Sequence, residues 1–261
     1  MNNRRLIIIG ASGHGRVVAD IARLNGRNDI VFLDNDKSLT SCAGYPVLGS
    51  DTMAQELEGD IFIAVGNPEA RERLINRYKD RNFPTLIHPS AVVAEDVMKS
   101  GKIGAGSVIM AGAVVNPGAK LGCGVIVNTS ASIDHDCVVG NFVHVAVGTH
   151  LSGTVTVGDK TWIGTGAVVS NNLNICGGCT IGAGAVVIRD ITDAGVYIGV
   201  PAMKYIRRKQ IKIVTPPPTR ASLNTINLLS SQKTHQFLLF LFRNLRNTEC
   251  QAECWQRRKA A

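Results

Sequence analysis

Residues 103–133 read IGAGSVIMAGAVVNPGAKLGCGVIVNTSASI. The aliphatic residues fall on a count of six, and the count runs on in both directions. Val97, Ile103, Ile109, Val115, Leu121, Val127, Ile133, Val139, Val145, Leu151, Val157, Ile163, Val169, Ile175, Ile181 and Val187 follow one another at that spacing, and each is Val, Ile or Leu. Two residues earlier the side chain is mostly small, as at Ser107, Ala113, Ala119, Ala131, Cys137, Thr149, Ala167, Cys179 and Ala185. A six-residue period fits neither the 3.6 of a helix nor the two-residue alternation of a hairpin strand. It fits a parallel β-helix of hexapeptide repeats, in which three hexads complete one triangular coil. The aliphatic residue and the small one before it fill the prism.

Stacking the sequence at 18 residues, one coil, sorts the outward positions into three columns. The first reads Val108, Ile126, His144, Trp162, Thr180; the second Val114, Ser132, His150, Val168, Val186; the third Lys102, Lys120, Val138, Thr156, Asn174. The third is a wet face. The first is apolar and aromatic on the outside of a prism, which predicts a covered surface. Subunit contact is the expected cover, and closed rotational symmetry suits a triangular coil, so a trimer with His144 in or beside the interface is expected.

Before the coil, LIIIGASGHGRVVADIARLNG reads as a buried strand, a glycine turn and an amphipathic helix ending near Gly26. IVFLDND follows as strand and acidic turn, then DIFIAVGNPEARERLINRYKD as strand, Gly-Asn turn and a helix with Pro68 in its first turn. This is a short parallel βαβ-type sheet whose turns at 10–15, 34–36 and 66–67 share the edge where open α/β sheets bind ligands. The glycine spacing G-x-x-G-x-G and the half-size sheet argue against a dinucleotide site. Phosphates of a nucleotide could still rest on the glycine turn.

Residues 127–150 collect three of the six histidines. His135 and Asp136 stand together at a corner, where neither is needed in the core. A carboxylate beside an imidazole raises its basicity and fixes its tautomer, the arrangement of a general base. Gly153 stacks one coil on from His135 and is expected to leave space for a substrate and offer an N–H to an oxyanion. His144 reads either as a ligand contact or as interface packing, and His150 as interface filler. Cys137 and Cys179 take inward positions and read as core. Cys176 and Cys179 form a C-x-x-C without a second pair at metal-like spacing, so no metal is expected.

The net charge of +8 belongs to the end of the chain. Residues 204–261 hold 12 Lys/Arg and 2 Asp/Glu, leaving 16 and 18 for the rest, so nothing in the body points to nucleic acid. Seven scattered cysteines and a short apolar run at the amino terminus predict a reduced, cytoplasmic setting without a secretory leader. FLLFLF near the end is too short to span a membrane.

The ASGHG turn on a small α/β unit, the hexapeptide coil, NTSASIDHDCVVGNFVHVAVGTHLSG and the terminal YIGVPA together resemble bacterial sugar-nucleotide acyltransferases of the sialic acid O-acetyltransferase-like family. Within it the likeness is to UDP-4-amino-sugar N-acetyltransferases of the bacillosamine pathway. It runs from about Leu6 to Lys204. The resemblance implies a Rossmann-like sugar-nucleotide-binding domain at 1–84, a left-handed parallel β-helix at 87–192 and a closing segment at 193–209, while the atypical basic tail at 210–261 departs from the family's pattern. It implies a homotrimer that uses acetyl-CoA, with no metal, to acetylate the 4-amine of a UDP-amino sugar. His135 would be the general base and Asp136 its partner. Asn128 would share the cleft, His144 and Gly153 would meet the acetyl-CoA end, and Thr165 and Ala183 would line the pantetheine arm. Ser12, Gly13, His14, Asp34, Asn35 and Gly66 would hold the UDP-sugar. The remaining alternatives are a sialic acid O-acetyltransferase, an enzyme for dTDP- or GDP-linked amino sugars, and a non-catalytic sugar-nucleotide-binding scaffold.

Overall fold

The computed structural model describes residues 4–99 and 101–206; the tail at 210–261 and the end of the closing segment lie outside the described residues. The fold opens with strands β1 (Leu6–Ile9) and β2 (Ile30–Leu33). After a hairpin of β3 (Ser41–Cys42) and β4 (Tyr45–Pro46) comes β5 (Asp60–Ile63). The three long strands pair in parallel in the order β2-β1-β5, with every residue buried. Burial on both faces explains why they read as continuous LIII, IVFL and DIFI rather than alternating.

Helix α1 (Gly13–Leu24) follows β1 through the glycine turn and buries Gly15, Val18, Ala19, Ile21 and Ala22. Gly15 is dictated by close approach, since a Cβ there would stand 2.1 Å from the Gly10 carbonyl oxygen. Helix α2 (Pro68–Arg77) starts where the sequence places it. The Asn67 side chain accepts the Ala70 N–H at 2.7 Å, and Pro68 takes the first turn, where its missing N–H costs nothing.

From Leu86 onward the chain is a parallel β-helix. Two-residue strands pair with the strand 18 residues on, as Val108–Ile109 with Ile126–Val127 and Ser132–Ile133 with His150–Leu151. Three sheets form the prism, and each carries one of the three columns predicted from the sequence. The inward aliphatic series is buried throughout, with Ile103 only partly so. Val97 keeps its inward place at 0 % exposure but does so from a short helix, Glu95–Lys99, rather than a strand.

The corners follow a second series of six. From Gly106 to Gly184, each sixth residue has a φ between 55° and 79°. Glycine fills most of these positions without strain. Ser130, Asp136, Phe142, Thr154, Lys160 and Asn172 fill the others, each at a cost of about 1–2 kcal/mol.

The cover of the first column corrects one expectation. Val108 and Ile126 share a single apolar core with Leu6, Ile8, Val18, Ile21, Phe62 and Leu86, so the chain's own amino-terminal unit lies on this face. An apolar column announces burial but does not say which surface buries it. In the second column Val114, Ser132, Val168 and Val186 are half-buried and His150 is exposed, so that among the described residues nothing fully covers that side of the prism.

Candidate active site

The corner between the second and third sheets presents His135 and Asp136. Asp136 Oδ2 lies 3.0 Å from His135 Nδ1. A carboxylate only accepts, so Nδ1 carries the proton and the lone pair stands on Nε2. The pair is wedged between coils. A Cβ on Gly153 would stand 2.4 Å from Nε2, and a Cβ on Gly118 2.2 Å from Asp136 Oδ1. The expectation that Gly153 leaves open space for a substrate is therefore corrected. The missing side chain makes room for the imidazole itself, and Gly153 is buried.

Asp134 supports the same corner. Its Oδ1 accepts the His135 N–H at 2.8 Å and an N–H of Asn116 Nδ2 at 2.7 Å. These bonds, with the nearby His135 charge, hold the Asp134 carboxyl below its ordinary range. The hydrogen bond that His135 donates to Asp136, aided by the charges of Asp134 and Asp136, raises His135 above its ordinary value. The arrangement can do one thing well: take a proton at Nε2 of an exposed imidazole and hold the resulting cation.

A second cluster lies under the amino-terminal unit. Asn128 Oδ1 accepts the Thr129 N–H at 2.8 Å, which turns Nδ2 toward His144 Nε2 at 3.1 Å. His144 must then carry its proton on Nδ1, a buried atom with no hydrogen-bond partner among the described residues. Its ring packs at 4.4 Å between centroids against Trp162. Burial first, then the Arg71 and His14 charges, pushes His144 down to about 3. Burial and Arg71 likewise hold His14 at about 4. Both rings are neutral at pH 7. His144 thus lies on the face that the chain's own amino-terminal unit covers.

Arg71 was not singled out from the sequence, yet it fastens the two parts of the fold. It is 1 % exposed, and its guanidinium donates to the carbonyls of Val65 (2.9 Å), Gly66 (2.8 Å), Gly124 (2.8 Å) and Phe142 (2.6 Å). Two of these belong to the turn after β5 and two to the coil. Its local sequence, PEARERLINR, gives no sign that this arginine and not its neighbours is buried.

The turns at the sheet edge come together as expected. Asp34 accepts the Ala11 N–H at 2.7 Å through Oδ2 and the Asp36 N–H at 2.9 Å through Oδ1, which ties the glycine turn to the turn after β2. Asn35 Oδ1 accepts the Asp51 N–H at 3.3 Å. Ser12 and Gly13 are exposed and His14 is partly so. Gly66 lies on the wall of a cavity of about 290 Å³ between the start of α2 and the coil, lined also by Asn67, Lys160, Trp162, Cys179 and Thr180.

Thr165 and Ala183 are exposed and stacked, the Thr165 carbonyl accepting the Gly184 N–H at 2.9 Å. They share the edge between the first and second sheets with Asn128. His135 and Asp136 occupy the edge between the second and third. The predicted residues therefore form two groups separated by one side of the prism. Cys137 is buried and donates to the Ser152 carbonyl at 3.2 Å, and burial raises its thiol, so it is core as predicted. Among the described residues no cluster of three or more His, Cys, Asp or Glu could hold a metal ion, and no helix is long and apolar enough to cross a membrane.

The described residues thus combine a parallel β-helix of hexads, an imidazole–carboxylate pair on one of its edges and a small α/β unit on one face. Residues 5–78 match the PglD N-terminal domain family. The acetyltransferase domain of PglB from Neisseria gonorrhoeae FA1090 is 42% identical, with a TM-score of 0.73 over 78% of this chain and 100% of that one, and it has also been solved in complex with acetyl coenzyme A. PerB from Caulobacter crescentus, in complex with CoA and GDP-perosamine, is 33% identical with a TM-score of 0.71, covering 77% of this chain and 97% of that one. UDP-N-acetylbacillosamine N-acetyltransferase of Bacillus subtilis (strain 168) is 38% identical over 119 residues, which is 41% of this chain and 52% of the relative, so the match spans about half the length of that curated protein. The chain belongs to the acetyltransferase family of PglB and PerB.

Proposed function

We propose that the chain transfers an acetyl group from acetyl-CoA to the 4-amine of UDP-2-acetamido-4-amino-2,4,6-trideoxy-glucose, in bacterial glycan biosynthesis in the cytoplasm. The observation that carries this reading is the His135–Asp136 pair, with Nδ1 engaged and Nε2 free. Attack of a neutral amine on a thioester carbonyl forms the C–N bond, expels the thiolate and releases one proton from nitrogen. His135 Nε2 accepts that proton, and Asp136 steadies the imidazolium. The Gly153 N–H, beneath the imidazole, is the proposed donor to the tetrahedral oxyanion.

The acceptor would lie at the sheet edge with Ser12, Gly13, His14, Asp34, Asn35 and Gly66, and the thioester arm along Asn128, His144, Thr165 and Ala183. Because His135 and this second group stand on different edges, one complete site needs two copies of the chain. We therefore propose a homotrimer joined through the half-buried second column, in which His135 of one copy faces the Asn128 edge of the next.

A second acceptor is favoured by one finding, the 33% identity to PerB with its bound GDP-perosamine. Thiol release from acetyl-CoA, measured with the UDP- and GDP-linked amino sugars in parallel, separates them. Turnover with the UDP-sugar that falls by roughly 10²–10⁴-fold in His135→Ala supports the first reading. Turnover with the GDP-sugar alone replaces it with the second. An unchanged rate in His135→Ala would remove the proposed base.

A further inference from the structure

The motif Cys176-Gly177-Gly178-Cys179 has no part in the chemistry above. Cys176 Sγ and Cys179 Sγ lie 3.5 Å apart, both thiols free. Cys179 is buried, with its Sγ 3.8 Å from the Asp193 carbonyl oxygen, while Cys176 is half-buried. The coil does not need a side chain at 176. In the preceding coils the same corner position is Gly104, Gly122, Gly140 and Gly158, where a Cβ would meet the next coil at 2.4, 2.7, 2.3 and 2.4 Å. At 176 the regular stack ends, because the Cys176 N–H pairs instead with Ile191, outside the hexad series, and a side chain fits. Of the two, Cys179 borders the cavity between α2 and the coil, whose wall also includes Gly178, Thr180 and Trp162.

We propose that Cys176 and Cys179 form an oxidative modification site, a dithiol that closes reversibly to a disulfide on the wall of this cavity. The oxidant class is a small disulfide, RSSR. The Cys176 thiolate attacks one sulfur of RSSR, forming a mixed disulfide and releasing RS⁻. The Cys179 sulfur, as its proton leaves, then attacks the Cys176 sulfur and expels the second RS⁻. Two thiols lose two electrons and two protons, and RSSR becomes two RSH. Burial and the hydrogen bond to Cys176 push Cys179 up to about 11, so the half-buried Cys176 is the first to react. Closure brings the sulfurs from 3.5 Å to about 2.05 Å, and the two intervening glycines allow the corner to follow. The inference is independent of which sugar or acyl donor is used.

The test uses the full chain with oxidised glutathione as probe. Trypsin releases residues 161–189, which contain Cys176, Cys179 and no other cysteine. After oxidation and alkylation this peptide should be about 2 Da lighter than its reduced, unalkylated mass. Dithiothreitol should restore it, and Cys176→Ser should abolish the change. The same peptide carries Trp162; in a Trp255→Phe background, oxidation should lower Trp162 emission and dithiothreitol recover it. The proposal is overturned if both cysteines remain fully alkylatable while the exposed Cys123 is glutathionylated, or if Cys176 retains glutathione as a lasting mixed disulfide. A disulfide that leaves Trp162 emission unchanged would overturn its placement on the cavity wall.

Discussion

Asp136 holds a backbone conformation that a glycine would occupy without strain, φ +58°, in a series where most corners are glycine. Strain of this kind persists where the side chain is wanted. Its carboxylate fixes the His135 tautomer and raises the imidazole above its ordinary value. The base works only when neutral, so the rate should rise with pH through that raised value. Asp136→Asn should shift the acid limb of kcat/KM down toward 6.5, the ordinary value of a histidine, and lower kcat by roughly tenfold or more; a pH–rate profile from 5 to 9 reads both. An unmoved limb would mean that Asp136 does not set the basicity of His135. Gly153→Ala would drive a methyl group into the His135 imidazole, so kcat should fall steeply in a chain that still folds; circular dichroism with kinetics separates the two effects.

At the scale of elements, the coil and the helix α2 differ in how much of them the sequence discloses. The coil is legible because each inward side chain repeats at a fixed count, and no tertiary information is needed to find it. His135 and Asp136 are legible because their partnership is between neighbours in the chain. Asn116 and Asp134, which brace that corner from successive coils, form a pair only once the register of 18 is applied to polar as well as apolar columns. Arg71 is illegible for a different reason. Its four hydrogen bonds go to backbone carbonyls, which have no sequence signature, and it lies among other arginines on α2. Arg71→Met should leave those carbonyls unpaired in a buried seam and destabilise the fold by about 3 kcal/mol or more, read as a lower urea midpoint. Little change would imply that water takes over the four carbonyls.

At the scale of the whole fold, the amino-terminal unit covers one side of the prism, the third column is wet, and the second is left uncovered with its valines among the described residues. That distribution places the proposed subunit contact on the second column. Val168→Asp should produce a monomer in analytical ultracentrifugation, with a native circular dichroism spectrum and no transferase activity, since the two edges would no longer meet. A monomeric wild type with full activity would refute the shared site. The three-hexad coil also constrains how such a chain can change length. Inserting or deleting one whole coil would carry every later residue along the prism axis while returning it to its own side. Gain or loss of a single hexad would instead turn everything downstream by a third of a revolution, bringing the wet column under the next copy and the valines into water. Length variation among functional descendants of this chain should therefore come in eighteens within the coil, and in arbitrary numbers only where a loop leaves a corner and returns to it.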